Sequence, residues 1–260
     1  MDERVREKEI SRVDDKGARD ISDAVVVEAP LTIYLNGQEF VTLLCTPELT
    51  DMLAVGFLRS EGIIGDFSEI KTLKDDRENG FVFVETGGEK LAEKLYGKRT
   101  ITSGCGKGTV FFSVLDSLKS KPVSSPLTVT YKQVLELMGG LQENADLFRL
   151  TGGIHSAALC IPDKILYFCE DIGRHNAVDK ILGLCLKENV PLNDKILVTS
   201  GRISSEILVK TAKIGIPILV SRSAPTTLSI ELAEKLGITL IGFVRGRRFN
   251  VYSGTDRVIS

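Results

Sequence analysis

Tryptophan is absent from the 260-residue chain, there are only two histidines (His155 and His175), and aromatic residues make up 6% of the sequence. The five cysteines are Cys45, Cys105, Cys160, Cys169 and Cys185, and no two are spaced as C-x-x-C. A classical zinc centre needs about four clustered ligands, or three plus water, so a protein-ligated metal is not expected. The cysteine count is odd and the first twenty residues hold no apolar h-region, so neither a secretory signal nor a disulfide framework is read. No run approaches the ~18 apolar residues of a membrane span. The formal net charge of −2 argues against broad nucleic-acid binding, which rests on many phosphate contacts. The expectation is a cytoplasmic protein with no membrane and no nucleic-acid partner. Hydrophobic residues at 43% and charged residues at 26% suit an ordinary globular chain of one large or two modest domains.

Thirteen of the first twenty residues are Asp, Glu, Lys or Arg of mixed sign, so residues 1–22 are expected to be a solvated, unordered tail. A small α+β domain is expected over 23–96. Leu31, Ile33 and Leu35 alternate with polar neighbours, and Asn36-Gly37 precedes the apolar run Phe40–Leu44, which is a strong hairpin signal. Thr46 is expected to cap a helix with Pro47 in its first turn, and Gly62 to stop it. Ile70–Leu73 and Phe81–Glu85 read as a second strand pair. Residues 97–108, GKRTITSGCGKG, read as a mobile loop carrying Cys105, followed by a helix through Val110, Val114 and Leu118.

From 109 to 260 the chain reads as an α/β domain. A Pro/Ser linker at Lys121–Pro126 leads to a helix through Val134, Met138 and Leu141. Strand-like runs at Ile154–Cys160, Ile165–Cys169, Ile196–Thr199, Ile218–Ser221 and Ile238–Val244 alternate with helices near Ala177–Lys187, Ser204–Ile214 and Thr227–Leu236. Strands this apolar are covered on both faces. A turn at Pro162-Asp163-Lys164 makes the sheet mixed.

In open α/β sheets ligands bind beyond the carboxyl ends of the strands. Here those ends carry Glu170–Asn176, Thr199–Arg202, Ser221–Thr227 and Phe243–Asn250, and each segment contains arginine. One such loop reads as a helix cap with surface ion pairs. Four converging on one sheet end would suit an anionic, phosphate-bearing ligand. The loop cysteine Cys105 lies near Arg99 and Lys107, which favour thiolate. These residues alone leave open whether it is a reactive sulfur or a plain free thiol. The other four cysteines read as inert core residues.

Six stretches carry a resemblance: DAVVVEAPLTIYLNG, GFLRSEGII, TGGIHSAAL, EDIGRHNAVDK, TSGRISSE and SAPTTLSIELA. Together they resemble the formate dehydrogenase accessory sulfurtransferases, the FdhD/NarQ family, from about Asp23 to the C-terminus. The resemblance implies a persulfide carrier that passes sulfur from a cysteine desulfurase to the molybdenum or tungsten cofactor, before that cofactor enters formate dehydrogenase. It implies a cytidine deaminase-like second domain, a three-layer α/β/α unit, and a homodimer. The cargo would be a bis(molybdopterin guanine dinucleotide), with Cys105 as the sulfur-bearing residue. The segment Phe243, Val244, Arg245, Gly246, Arg247 and Arg248 matches the family's cofactor-binding stretch. Asp171, Arg174, His175 and Ser200 are further pocket candidates. The deaminase signatures H-x-E and P-C-x-x-C are missing, so zinc and deamination are not implied.

Many relatives carry C-G-x-C-G in the loop, whereas this chain has Thr102-Ser103-Gly104-Cys105-Gly106. A two-cysteine relay within the loop is thereby put in question, although one sulfur atom suffices to hold another. The alternative is a non-catalytic chaperone that binds and presents the cofactor. A nucleotide-modifying enzyme on the deaminase scaffold is the remaining reading.

Overall fold

The computed structural model describes residues 2–87 and 122–259. The Cys105 loop, the helix expected after it and the expected boundaries at 96/97 and 108/109 lie outside the described residues.

The chain is an α/β protein with several sheets, as expected. The first sheet corrects the sequence reading. Residues 1–22 were expected to be an unordered tail, but β1 (Val5–Asp14) and β2 (Gly17–Val26) form an antiparallel ribbon with continuous register from Val5↔Val26 to Asp14↔Gly17. The ribbon escapes a hydropathy reading because residues 11–20 are exposed on both of its faces, so no apolar period is written into it. Its base is fixed by Arg4, whose guanidinium lies 2.9 Å from Glu48.

The next unit is a four-stranded sheet in the order β4-β3-β6-β5, from β3 (Ala29–Leu35), β4 (Gln38–Cys45), β5 (Ile70–Asp76) and β6 (Phe81–Thr86). Asn36 and Gly37 both have positive φ, 50° and 76°, as a two-residue hairpin turn requires. Helix α1 (Thr50–Glu61) covers the sheet, packing Met52, Leu53, Val55 and Leu58 on Leu31, Ile33, Val82 and Val84. Gly62 ends the helix in a left-handed conformation, as expected. The start differs from expectation. Leu49, with φ 51°, precedes the first turn, and Thr46 and Pro47 lie outside the helix. Thr46 is no cap because its backbone N–H and hydroxyl donate to Asp171, 125 residues away.

The second unit is a six-stranded mixed sheet in the order β13-β12-β11-β10-β8-β9. Its strands are β8 (His155–Ile161), β9 (Lys164–Asp171), β10 (Ile196–Thr199), β11 (Ile218–Ser221), β12 (Thr239–Arg245) and β13 (Arg248–Ser253). A short parallel pair joins β7 (Val129–Thr130) to β14 (Val258–Ile259). Helices α4 (Arg174–Lys187), α5 (Ser205–Lys213) and α6 (Thr227–Leu236) cover one face, where Leu159, Leu197, Leu219 and Leu240 point. Helix α2 (Tyr131–Glu143) covers the other, against Ala158, Val198, Val220 and Ile241. The period-2 alternation feeds two cores, which makes three layers. Thr130 caps α2 through a reciprocal pair with Gln133. A short helix, α3 (Asp146–Thr151), follows.

The two units meet where α1 crosses α4 at two glycines. A Cβ on Gly56 would stand 1.7 Å from the Asp179 carbonyl oxygen, and one on Gly183 would stand 2.0 Å from that of Met52. Only hydrogen fits there. Gly183→Ala is expected to force the helices apart and lower stability by about 3 kcal/mol or more, at or beyond the upper end of ordinary overpacking costs. Gly139→Ala on α2, where a Cβ meets nothing, is expected to be neutral or slightly stabilising. Denaturant unfolding of both variants checks the contrast.

Candidate functional site

Strand β8 runs antiparallel to both β9 and β10, and β10, β11 and β12 run parallel to one another. The carboxyl ends of β9, β10, β11 and β12 therefore share one sheet edge with the start of β8. The four arginine-bearing segments converge there, as the sequence suggested. Backbone bonds lock them together: Arg222 N–H donates to the Thr199 carbonyl at 3.1 Å, and Phe243 N–H to the Ser223 carbonyl at 3.1 Å. The Ser200 N–H donates to the Ser156 carbonyl at 3.0 Å, and the Ser156 N–H returns a bond to the Ser200 hydroxyl at 2.9 Å.

A cavity of about 830 Å³ opens at this edge. Ser200, Arg222, Ser223 and Arg245 line its sheet side with His155 and Ser156, and residues of α2 and α3 form the facing wall. Arg245 is steadied by donating from Nε to the Arg222 carbonyl at 3.1 Å. Burial, with Arg174 and Arg202 nearby, holds His155 below the usual imidazole range, so it is neutral at pH 7. Arg174 lies behind this wall. A Cβ on Gly201 would come within 3.0 Å of Arg174 Cβ and 3.5 Å of His155 Nδ1, so glycine is what lets the three groups meet. Among the described residues the Arg174 Nε is buried without a hydrogen-bond partner, an unsatisfied donor beside a cavity already rich in cations. This arrangement can bind anionic groups.

Of the expected pocket residues, Ser200 and Arg245 line the cavity and Arg174 borders it. The other seven, Phe243, Gly246, Arg247 and Arg248 among them, do not line it. Asp171 is fully buried and faces the first unit, where its carboxylate lies 2.8 Å from Lys180 Nζ and accepts from Thr46. His175 turns toward α5, with Nε2 3.1 Å from Glu206 Oε2. Burial, Lys210 and Arg174 push His175 down to about 3, and the same Nε2 lies 3.4 Å from the Ser204 hydroxyl. Val244 is buried in the core under α2.

The segment Phe243–Arg248 is a hairpin turn, with Arg245 paired to Arg248 across β12 and β13. Phe243 adopts φ 53° and its ring lies under the Arg245 guanidinium at 5.4 Å. Gly246 occupies the turn with φ 57°, and Arg247 and Arg248 are exposed. The Arg247 carbonyl accepts from the Tyr131 hydroxyl. Sequence reasoning flagged the loop of Arg222 and Ser223 without choosing those residues, and it missed Phe148 and Arg149. The signal for the latter pair was the adjacent Thr151-Gly152-Gly153, a helix stop before a strand.

The profile of the FdhD/NarQ family matches residues 26–259. The chain belongs to the FdhD/NarQ family. It is 47% identical over 238 residues to the "Sulfur carrier protein FdhD" of Geobacillus kaustophilus, covering 91% of this chain and 90% of that one. It is 47% identical over 256 residues to the protein of the same name from Bacillus subtilis, covering 98% and 95%. It is also similar to a crystal structure of a protein assigned as a formate dehydrogenase accessory protein from Desulfotalea psychrophila. That match has a TM-score of 0.81 and 25% identity, and covers 98% of this chain and 99% of that one.

In this FdhD/NarQ chain the buried pair Asp171–Lys180 is hydrogen-bonded throughout. Lys180 Nζ donates to Thr46 Oγ1 at 2.9 Å and to the Glu170 carbonyl at 3.3 Å. Asp171 Oδ1 accepts from Gly173 N–H at 2.8 Å and from Asn176 at 2.9 Å. Lys180→Met would strand a buried carboxylate and is expected to cost about 3–5 kcal/mol in urea unfolding, with part recovered by adding Asp171→Asn.

Four family-member cysteines are poor nucleophiles here. Cys45, Cys160, Cys169 and Cys185 are buried, and desolvation pushes each thiol up to about 12. Iodoacetamide at pH 8 is expected to leave all four unmodified in the folded protein and to label them once it is unfolded, read by peptide mass spectrometry.

Proposed function

We propose that this chain is a sulfur carrier for formate dehydrogenase. Cys105 accepts sulfane sulfur from a cysteine desulfurase and delivers it to a molybdenum or tungsten bis(molybdopterin guanine dinucleotide), held as cargo. Family membership over residues 26–259 and relatives named sulfur carrier proteins support the transfer. The choice of Cys105 is supported by elimination, since the other four thiols are buried and raised in pKa. The observation that carries the cargo reading is the convergence of Arg222, Arg245 and Ser200 on one cavity, with the orphaned Arg174 donor beside it. Guanidinium forks and hydroxyls suit nucleotide phosphates.

In the accepting step the Cys105 thiolate attacks the outer sulfur of the donor's persulfide. The donor S–S bond breaks, its cysteine leaves as thiolate, and a new S–S bond forms on Cys105, with no net oxidant needed. A homodimer, a cytoplasmic location and a cytidine deaminase-like second unit belong to the same reading. The three layers around the six-stranded sheet support the last.

The test is intact-mass spectrometry after incubation with a cysteine desulfurase and cysteine. The wild type is expected to gain the mass of one sulfur atom and Cys105→Ala to gain none, while both bind guanosine diphosphate. Absence of any gain in the wild type, with nucleotide still bound, would leave a cofactor chaperone and remove the carrier role. The replacement of the first loop cysteine by Thr102 is what keeps that second outcome in view.

A further inference from the structure

The two walls of the cavity differ in chemistry. The sheet side presents Arg222, Arg245 and Ser200, which suit anions. The facing wall presents Leu141, Ala145 and Phe148, and Phe148 is the one phenyl ring lining the cavity among the described residues. Its neighbour Leu147 is buried at 2%, yet Phe148 is left 40% exposed. A phenyl ring kept open to solvent at a cavity wall forgoes burial that the core could have supplied.

The backbone beneath that ring is pinned. The N–H groups of Leu147 and Phe148 both donate to the Glu170 carboxylate at 3.1 Å, and Glu170 itself is 5% exposed on β9. Arg149 ties α3 to the end of α2, donating to the Gln142 and Glu143 carbonyls at 2.8 and 2.7 Å and pairing with Asp146. Its cation is thus engaged in holding the wall. Gly152 and Gly153 follow and add no side chain to the space around the ring. An exposed ring on a fixed backbone is a pre-organised flat surface. The aromatic residue that the sequence put forward, Phe243, does not offer one, because it lies outside the lining residues and carries Arg245 on its ring.

We propose that Phe148 is the base-stacking face of the cavity, a specificity-determining residue that takes the planar ring of a nucleotide whose phosphates the opposite arginines hold. The proposal rests on the reading of this cavity as a nucleotide site. Every nucleobase has a π-face, and truncating an aromatic platform weakens binding by roughly five- to hundredfold. Pyrophosphate has no base, so it reads the arginine wall alone.

Equilibrium titrations of the full chain with guanosine diphosphate and with pyrophosphate separate the two walls. The wild type is expected to bind the nucleotide at least tenfold more tightly than pyrophosphate. Phe148→Leu keeps apolar bulk without a π-face. It is expected to lose that advantage while holding its pyrophosphate affinity and melting temperature, and Phe148→Tyr is expected to retain it. Full nucleotide affinity in Phe148→Leu would overturn the proposal and leave the nucleotide site standing. Equal loss of both ligands in Phe148→Leu would do the same, by showing that the ring only supports the wall. A wild type that binds neither ligand would overturn the nucleotide reading and this proposal with it.

Discussion

The buried contact among Asp171, Lys180 and Thr46 is the joint on which the molecule turns. Two opposite charges withdrawn from water are tolerated only when their remaining donors and acceptors are met. Here Lys180 meets Thr46 and the Glu170 carbonyl, and Asp171 also accepts from Gly173 and Asn176. Thr46 belongs to the first unit, Asp171 ends strand β9 and Lys180 lies on α4. One hydrogen-bonded cluster therefore fixes the first unit against the helix whose opening residue, Arg174, borders the cavity. The adjacent residue Glu170 sends its side chain to α3 and pins the cavity's facing wall. Two consecutive carboxylates thus serve both sides of the site's foundation, and neither lines the cavity.

The glycine crossing of α1 and α4 complements this cluster. Polar bonds give the joint its register, since Lys180 and Thr46 between them donate to acceptors drawn from both units. The backbone contact at Gly56 and Gly183 sets its closeness, since a single Cβ would collide with a carbonyl oxygen. The family relationship extends across both units, from residue 26 to 259, which agrees with a protein whose halves are fitted to each other.

Much of the architecture was legible in the sequence. Strands β10 and β11 and helix α6 fall on the expected residues, because apolar runs bounded by glycine, proline and cap residues carry their own limits. The convergence of the four arginine-bearing segments followed from one rule about sheet edges. The ribbon β1–β2 was not legible, since its exposed outer half has no buried face to impose a pattern. Thr46 was misread for the opposite reason. A threonine before a proline is a good local cap signal, but its hydroxyl is claimed by a charge from the far unit. Asp171 and His175 follow the same logic: one ends strand β9 and the other lies in the first turn of α4, and packing turned each away from the cavity toward Lys180 and Glu206.

The sequence by itself determined the family, the α/β class, most of the helices and strands of the second unit and the clustering of arginine at strand ends, while strand β13, helix α3 and the β7–β14 pair were not read from it. What it determined is written in local period, in turn residues and in short motifs. Only the tertiary structure decided which charged groups face the cavity and which face each other in the interior. The direction of a side chain at a strand end depends on the partner that desolvates it, and that partner can lie more than a hundred residues away. Arg222 and Arg245 therefore became cavity groups, Asp171 became a structural anchor, and Phe148 came to stand across from the arginines.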